Sequence, residues 1–132
     1  MARSFELDAV VNSVPGTQER ELGPGLELPR GSYVVFARVH MGMSAAAGLD
    51  LRMTLGSAQD LVFTWLYYRD VEVAQTASLT LWSKINRREK VRFFAKGNGV
   101  VASFRIVAIQ VDSLDVHTFH EPEAPPPHHP DR

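Results

Sequence analysis

The 132-residue sequence contains no cysteine, which excludes a disulfide scaffold, a thiolate zinc site and a cysteine nucleophile. It also has no excess of positive charge, since 14 lysines and arginines stand against 15 aspartates and glutamates, for a net charge of -1. Proteins that bind nucleic acid usually carry a basic excess, so we expect no specific nucleic-acid partner. No stretch approaches the roughly 20 apolar residues of a membrane span, and the first residues lack the apolar core of a secretory signal.

Enzyme motifs are also missing from the sequence. There is no G-x-S-x-G elbow, phosphate-binding P-loop, H-E-x-x-H pair or EF-hand loop, and the acidic residues are dispersed. Four histidines lie close to the C-terminus, but the prolines among them argue against a fixed ligand geometry. They are His117, His120, His128 and His129. We therefore predict a non-enzymatic protein with no cofactor and no dedicated metal site.

The composition that remains is that of one packed domain followed by a tail. Apolar residues make up 45% of the chain and charged residues 22%, which is typical of a globular protein. Near residue 117 the composition changes, and five prolines occur in the last sixteen residues. Such a segment cannot form a helix or a central strand. We predict a domain over residues 1–116 and an extended Pro/His-rich tail over 117–132.

Within the domain, apolar and polar residues alternate with a period of two, which is typical of half-buried β-strands. A clear case is Leu49, Leu51, Met53 and Leu55, which alternate with polar neighbours. The pattern predicts about eight strands near 5–13, 20–28, 32–40, 49–56, 60–69, 71–82, 89–96 and 99–112. Gly97-Asn98-Gly99 between the last two predicts a tight hairpin. The predicted fold is an all-β, antiparallel two-sheet jelly roll or β-sandwich.

Two of the predicted strands are apolar on both faces. Residues 100–111 place Val107 and Ile109 on one face and another apolar set on the opposite face. Strand 60–69 carries Phe63, Trp65 and Tyr67 on one face, and its other face is also largely apolar. Because a sandwich buries one face of each strand, the second face needs a cover. We interpret these five residues as a subunit interface, or alternatively as an aromatic platform for a ligand such as a sugar.

Basic residues cluster on another predicted strand. Arg88, Lys90, Arg92 and Lys96 share one strand face and form a cationic ladder. Such a ladder suits a phosphate, a sulfated glycan or an acidic protein neighbour. The competing interpretation, which we favour, is a solvated outer sheet face whose charges discourage aggregation.

Three short segments resemble the C1q/TNF-like jelly-roll family. Residues 29–37, Pro-Arg-Gly-Ser-Tyr-Val-Val-Phe-Ala, resemble the P-x-G-x-Y-x-V-x-A strand of that family. Residues 77–82 and 91–95 resemble its later pair of strands, and residues 102–106 its final strand. The family's usual Gly-Asp before the penultimate strand is Arg88-Glu89 here. The resemblance implies a trimeric jelly roll that binds proteins or glycans and is not an enzyme, with versions in phage and bacterial surface structures.

These observations together predict a structural or adhesion module that assembles with copies of itself, as a trimer, within a particle such as a phage virion. The alternative is a carbohydrate-binding module. We expect the C-terminal tail to contact other structural proteins, because an extended arm offers much contact area for few residues. A location on a virion or cell-surface particle is favoured over a cytoplasmic role.

Overall fold

The computed structural model describes residues 3–44, 47–66 and 72–123, with the side chains at 43, 44, 47, 65, 66, 72 and 73 left out of the description. Nine strands lie in these ranges. They are β1 (Arg3–Ser13), β2 (Gly16–Glu21), β3 (Leu26–Leu28), β4 (Gly31–Ser44), β5 (Ala47–Leu55), β6 (Ala58–Leu66), β7 (Glu72–Ile85), β8 (Glu89–Gly97) and β9 (Val100–Val111). The predicted all-β class is confirmed. The same ranges contain no helix that is long and apolar enough to cross a membrane.

The strands form two antiparallel sheets that pack face to face. Sheet I has the order β1-β9-β4-β7, and sheet II has the order β2-β8-β5-β6, with β3 also paired to β8. The pairs are nested along the chain: β1 with β9, β2 and β3 with β8, β4 with β7, and β5 with β6. This nesting of a long folded hairpin defines a jelly roll, and the predicted two-sheet architecture is therefore confirmed.

Alternation along the strands builds the core between the sheets. On β4 the odd-numbered residues from Tyr33 to Met41 are buried, and on β5 the same holds from Leu49 to Leu55. The rings of Phe93 and Phe104 meet across the two sheets with their centroids 4.5 Å apart. Within the described ranges no polar or charged residue other than Tyr33 is fully buried. The core is thus held by apolar burial, worth roughly 25 cal/mol per Å² removed from water.

The predicted strand 20–28 is divided in the structure, which raises the strand count from about eight to nine. The break falls at Gly23-Pro24-Gly25, where the two glycines have φ of +78° and +77°. Proline cannot donate a ladder hydrogen bond, and the positive φ values of the two glycines interrupt the extended backbone, so the ladder with β8 is broken here. Both β2 and β3 nevertheless pair with β8, so the two pieces together serve as one edge of sheet II.

The predicted hairpin at Gly97-Asn98-Gly99 is wrong. β8 belongs to sheet II and β9 to sheet I, so the turn crosses from one layer to the other. Asn98 holds the crossing against β5: its backbone N–H donates to the Gly48 carbonyl (3.2 Å), and its side-chain Oδ1 accepts from the Gly48 N–H (3.0 Å). A local turn signal predicts that the chain reverses, but it does not determine which strand becomes the partner.

A register shift in β9 changes which of its residues face the core. Ser103 pairs with His40 but Val101 pairs with Met41, so one extra residue lies between them. This bulge turns Val101 inward, where it is fully buried, although the sequence pattern placed it on the face of Val107. Beyond the bulge, Phe104, Ile106 and Ala108 are buried, and the alternate residues face outward.

The chain after β9 has no helix or strand as far as residue 123, and its side chains are mostly exposed. Val116 and Phe119 are 56% and 84% exposed. The predicted domain boundary near residue 116 lies a few residues beyond the last strand, and residues 124–132 of the predicted tail lie outside the described ranges. The division of the chain into domain and tail stays a prediction.

Candidate functional site

An apolar patch covers one half of the outward face of sheet I. Register aligns its members across three neighbouring strands: Val34 lies between Ile109 and Trp82, and Phe36 lies beside Val107. Trp82 and Phe36 are 52% and 44% exposed, and the other three are half-buried. We call these five residues, Val34, Phe36, Trp82, Val107 and Ile109, the apolar patch. Because the opposite face of this sheet already forms the core, the patch is apolar surface in addition to the core.

The other half of the same face is charged. Arg105 donates two hydrogen bonds to Asp8 of β1, at 2.6 and 3.5 Å, and these bonds raise the pKa of the Arg105 guanidinium. Arg38 lies directly across from Arg105 in the register, and His40 follows on the same face. A shallow depression of about 380 Å³ lies among these side chains. Sheet I therefore presents an apolar surface bordered by ionic groups.

The predicted interface residues do not form a single platform. Val107 and Ile109 belong to the apolar patch on sheet I, whereas Phe63 lies on the outward face of sheet II and is 59% exposed. The side chain of Trp65 and the whole of Tyr67 lie outside the described part of the chain. On β6 it is Val62 that packs against the core, which identifies the inward face of this strand. An aromatic platform on sheet II stays a prediction that the described residues support only through Phe63.

The predicted basic residues are largely neutralised by acids from neighbouring strands. Arg92 makes two hydrogen bonds of 3.0 Å to Glu21 on β2. Lys96 lies 4.0 Å from Asp50. Arg88 precedes β8 rather than lying in it, and it lies 3.6 Å from Glu27. Lys90 and Lys96 face outward beside Phe94, as the alternation predicted. Three of the four predicted basic residues are therefore paired with acids, and this mixed surface suits a solvated sheet face more than a polyanion site.

One ion pair on sheet II is more elaborate than the rest. The guanidinium of Arg52 on β5 donates to both carboxylate oxygens of Glu19, at 3.1 and 2.5 Å, and it lies 4.3 Å above the ring of Phe94. The hydrogen bonds from Arg52 hold the pKa of the Glu19 carboxyl below its usual range. Bidentate pairing and cation–π stacking both fix a planar guanidinium. This arrangement joins β2 to β5 across β8.

Sequence reasoning missed three members of the apolar patch, namely Val34, Phe36 and Trp82. A signal for the first two was present, because β4 is apolar on both faces from Tyr33 to Ala37, as β9 is farther along. Trp82 ends up beside them only through the β4–β7 register, which the linear sequence does not show. Trp82 lies on the outward face of β7, which is an edge strand of sheet I.

The described residues contain no group of three or more histidine, cysteine or acidic side chains placed to hold a metal ion. His117 lies 3.2 Å from Asp115, an exposed pair within the tail. The non-enzymatic character of the protein stays a prediction.

Comparison with known proteins adds little to this geometry. No family model matches the sequence, and no curated protein does. Among solved structures, the chain is similar to one titled "Structure of Eiger TNF from S. frugiperda", with a TM-score of 0.36 and 10% sequence identity. The match covers 91% of this chain and 98% of that chain. The strand order defines this chain as a two-sheet jelly-roll protein. Its membership in the C1q/TNF-like family stays a prediction.

Proposed function

We propose that this protein is a non-enzymatic structural or adhesion module that assembles with copies of itself through the apolar patch. The observation that carries the proposal is the patch itself, which lies on the outward face of a sheet whose inward face is already core. Exposed contiguous apolar surface marks interaction sites in soluble proteins. A trimer, and a place in a larger particle such as a phage virion, are further parts of the proposal that rest on the sequence resemblance.

The surroundings of the patch suit a protein–protein interface. Such interfaces have an apolar centre containing aromatic residues, with polar and charged groups at the rim. Phe36 and Trp82 supply the aromatic side chains, and Arg38, Arg105 and Asp8 lie along one border. A second copy of the chain is the occupant that this proposal commits to.

The test is the absolute mass of the full chain in solution, measured by light scattering after size exclusion. We expect a mass near three times 14.7 kDa. Val107→Glu and Trp82→Glu each place a carboxylate in the patch and should yield monomers with unchanged far-UV circular dichroism. Leu61→Glu is the matched control, because Leu61 is 61% exposed on the other sheet and should leave the mass unchanged.

Two results would contradict the proposal. One is a monomeric wild-type chain at all accessible concentrations. The other is a wild-type assembly that both patch variants preserve, because the interface would then lie elsewhere.

A carbohydrate-binding module remains the second candidate, and the exposed Phe63 on sheet II is the observation that favours it. Aromatic rings on an open sheet face can stack on sugar rings. The test is a glycan array with the wild-type chain and with Phe63→Ala. Specific binding that is lost in the variant, while its fold and mass are retained, would support this candidate.

A further inference from the structure

The C-terminal tail is strongly acidic over the part that follows β9. Residues 112–123 contain four carboxylates and no lysine or arginine. The carboxylates are those of Asp112, Asp115, Glu121 and Glu123, and all four side chains are exposed. Pro122 separates the last two and favours an extended backbone, which lowers the entropy lost when the segment is ordered. The tail is thus an anionic, extended arm.

The end of the sandwich from which the tail departs carries the opposite charge. Five exposed basic residues lie there, in the segment before β4, at the end of β7, in the β7–β8 turn and at the start of β8. We call these residues, Arg30, Lys84, Arg87, Arg88 and Lys90, the cationic end. Arg87 and Arg88 lie near Glu89 and Glu27, at 3.4 and 3.6 Å. Among the described residues, no ion pair joins Arg30, Lys84 or Lys90 to a carboxylate.

Three neighbouring depressions that share lining residues lie along these basic residues, and we call them together the groove. It begins as a depression of about 530 Å³ between Arg30 and Lys84, beside the root of the tail at Asp112. A second depression shares Lys84 with the first and extends to Arg87. A third, broader one, of about 900 Å³, shares Arg87 with the second and continues past Lys90. The groove therefore crosses the cationic end, and its lining combines basic residues with the carboxylates of Glu21, Glu89 and Asp112.

We propose that the tail of one copy, residues 113–123, docks in the groove of the cationic end of a neighbouring copy. The inference rests on the proposed self-assembly and names the surface that receives the arm. Charge complementarity carries it, since the three carboxylates of residues 113–123 match the three basic residues that lack an ion-pair partner among the described residues. Electrostatic complementarity of this kind guides both the choice and the register of partners.

The receiving copy is a neighbour because the tail makes little contact with its own sandwich. Its one ion pair within the described ranges, Asp115 with His117, lies inside the tail, and Phe119 stays 84% exposed. Eleven residues in an extended conformation span about 35 Å, enough to reach an adjacent subunit. Exchanged arms of this type add contact area between copies without enlarging the domains.

The test uses the full chain and a fluorescent synthetic peptide of residues 112–123, titrated by anisotropy at low and high salt (about 0.05 and 0.5 M). We expect binding at low salt that weakens at high salt. Lys84→Glu/Lys90→Glu should weaken it by about tenfold or more, because two cations become anions. Arg20→Glu/Lys96→Glu is the matched control with the same change in net charge outside the groove, and it should bind with about wild-type affinity. A peptide with Glu121→Lys and Glu123→Lys should bind Lys84→Glu/Lys90→Glu better than the native peptide does.

Absence of peptide binding, or equal weakening by the groove and control variants, would overturn the tail proposal. The Val107→Glu variant separates it from the proposed function. If Val107→Glu dissociates the assembly but the peptide does not bind the wild-type chain, the patch is the interface and the tail proposal fails. If the wild-type chain assembles, both patch variants preserve the assembly and the peptide binds through Lys84 and Lys90, the tail proposal is supported and the patch-mediated assembly fails.

Discussion

The carboxylate of Asp60 on β6 accepts a hydrogen bond from the backbone N–H of Thr80 on β7, with 2.7 Å between Oδ2 and N. These two strands are edges of different sheets, so the bond joins the layers along one side of the sandwich. The other oxygen of Asp60 accepts from the N–H of Leu61 at 2.9 Å. Free N–H groups on an edge strand invite pairing with another chain. Asp60 therefore links the two sheets along this side, and it also satisfies one backbone N–H of the edge strand β7.

We predict that Asp60→Ala lowers the free energy of unfolding by about 1 kcal/mol, because the N–H of Thr80 loses a charged acceptor at a partly exposed site. Urea denaturation followed by circular dichroism measures the change. Asp50→Ala is the control: its contact with Lys96 is 4.0 Å and exposed, so its loss should cost less than about 0.5 kcal/mol. Equal effects of the two substitutions would show that the bond between the edges contributes nothing specific.

Gly97, at the crossing between the sheets, is the glycine whose replacement we expect to be most damaging. Its φ is +132°, and a Cβ there would overlap the backbone carbonyl of Gly48. We predict that Gly97→Ala costs more than about 2 kcal/mol, since both the backbone and the neighbouring strand would have to move. Gly42→Ala, in open space on β4, should change stability by less than about 0.5 kcal/mol. Similar melting temperatures for the two variants would contradict this prediction.

The sequence was sufficient to predict most strands and most of the core, because alternation is a local property of a half-buried strand. Leu49 to Leu55 alternate as predicted and are buried at every second residue. Sheet membership was not predictable, since the partners of β8 are chosen by contacts with β2, β3 and β5 far along the chain. The mistaken hairpin at Gly97-Asn98-Gly99 follows from this: a turn signal is local, whereas pairing is not.

The candidate site shows the same limit. Val107 and Ile109 were predictable, because a strand that is apolar on both faces needs two covers. The pairing of Arg92 with an acid was not predictable, since Glu21 lies 71 residues before its partner Arg92. Only the register of β2 on β8 brings the two together. A run of like charges in a sequence therefore says little about the field at the surface until its cross-strand neighbours are known.

We expect Tyr33 to make the stability of the folded state depend on pH in the alkaline range. Its hydroxyl donates to the Pro29 carbonyl at 2.6 Å, its ring is fully buried, and burial raises its pKa above 10.0. The folded state thus holds the neutral phenol, and this stabilisation is complete below pH 10 and is lost as the pH rises through the folded pKa. We predict that the urea midpoint decreases as the pH rises above about 10, the ordinary tyrosine pKa, toward the higher pKa of the folded state.

The matched variant is Tyr33→Phe, which keeps the ring but removes the titrating group. At pH 7 it should be about 1 kcal/mol less stable than the wild type, since the bond to Pro29 is lost. Above pH 10 the difference should shrink or reverse, because the variant has no buried phenol to ionise. Parallel pH profiles for the two proteins would contradict this assignment and attribute the alkaline transition to other groups.

Because basic residues on sheet II are paired with acids, we can predict how the chain binds polyanions. Because Arg92 is bound by Glu21 through two hydrogen bonds, a sulfated polymer must break that pair to use the guanidinium. We predict that Glu21→Gln, which frees Arg92, elutes from a heparin column at higher salt than the wild-type chain does. Glu6→Gln on β1 changes the net charge equally on the other sheet and should elute close to the wild type. If both variants shift by the same amount, retention follows net charge alone, and the ion pair does not control access to this face.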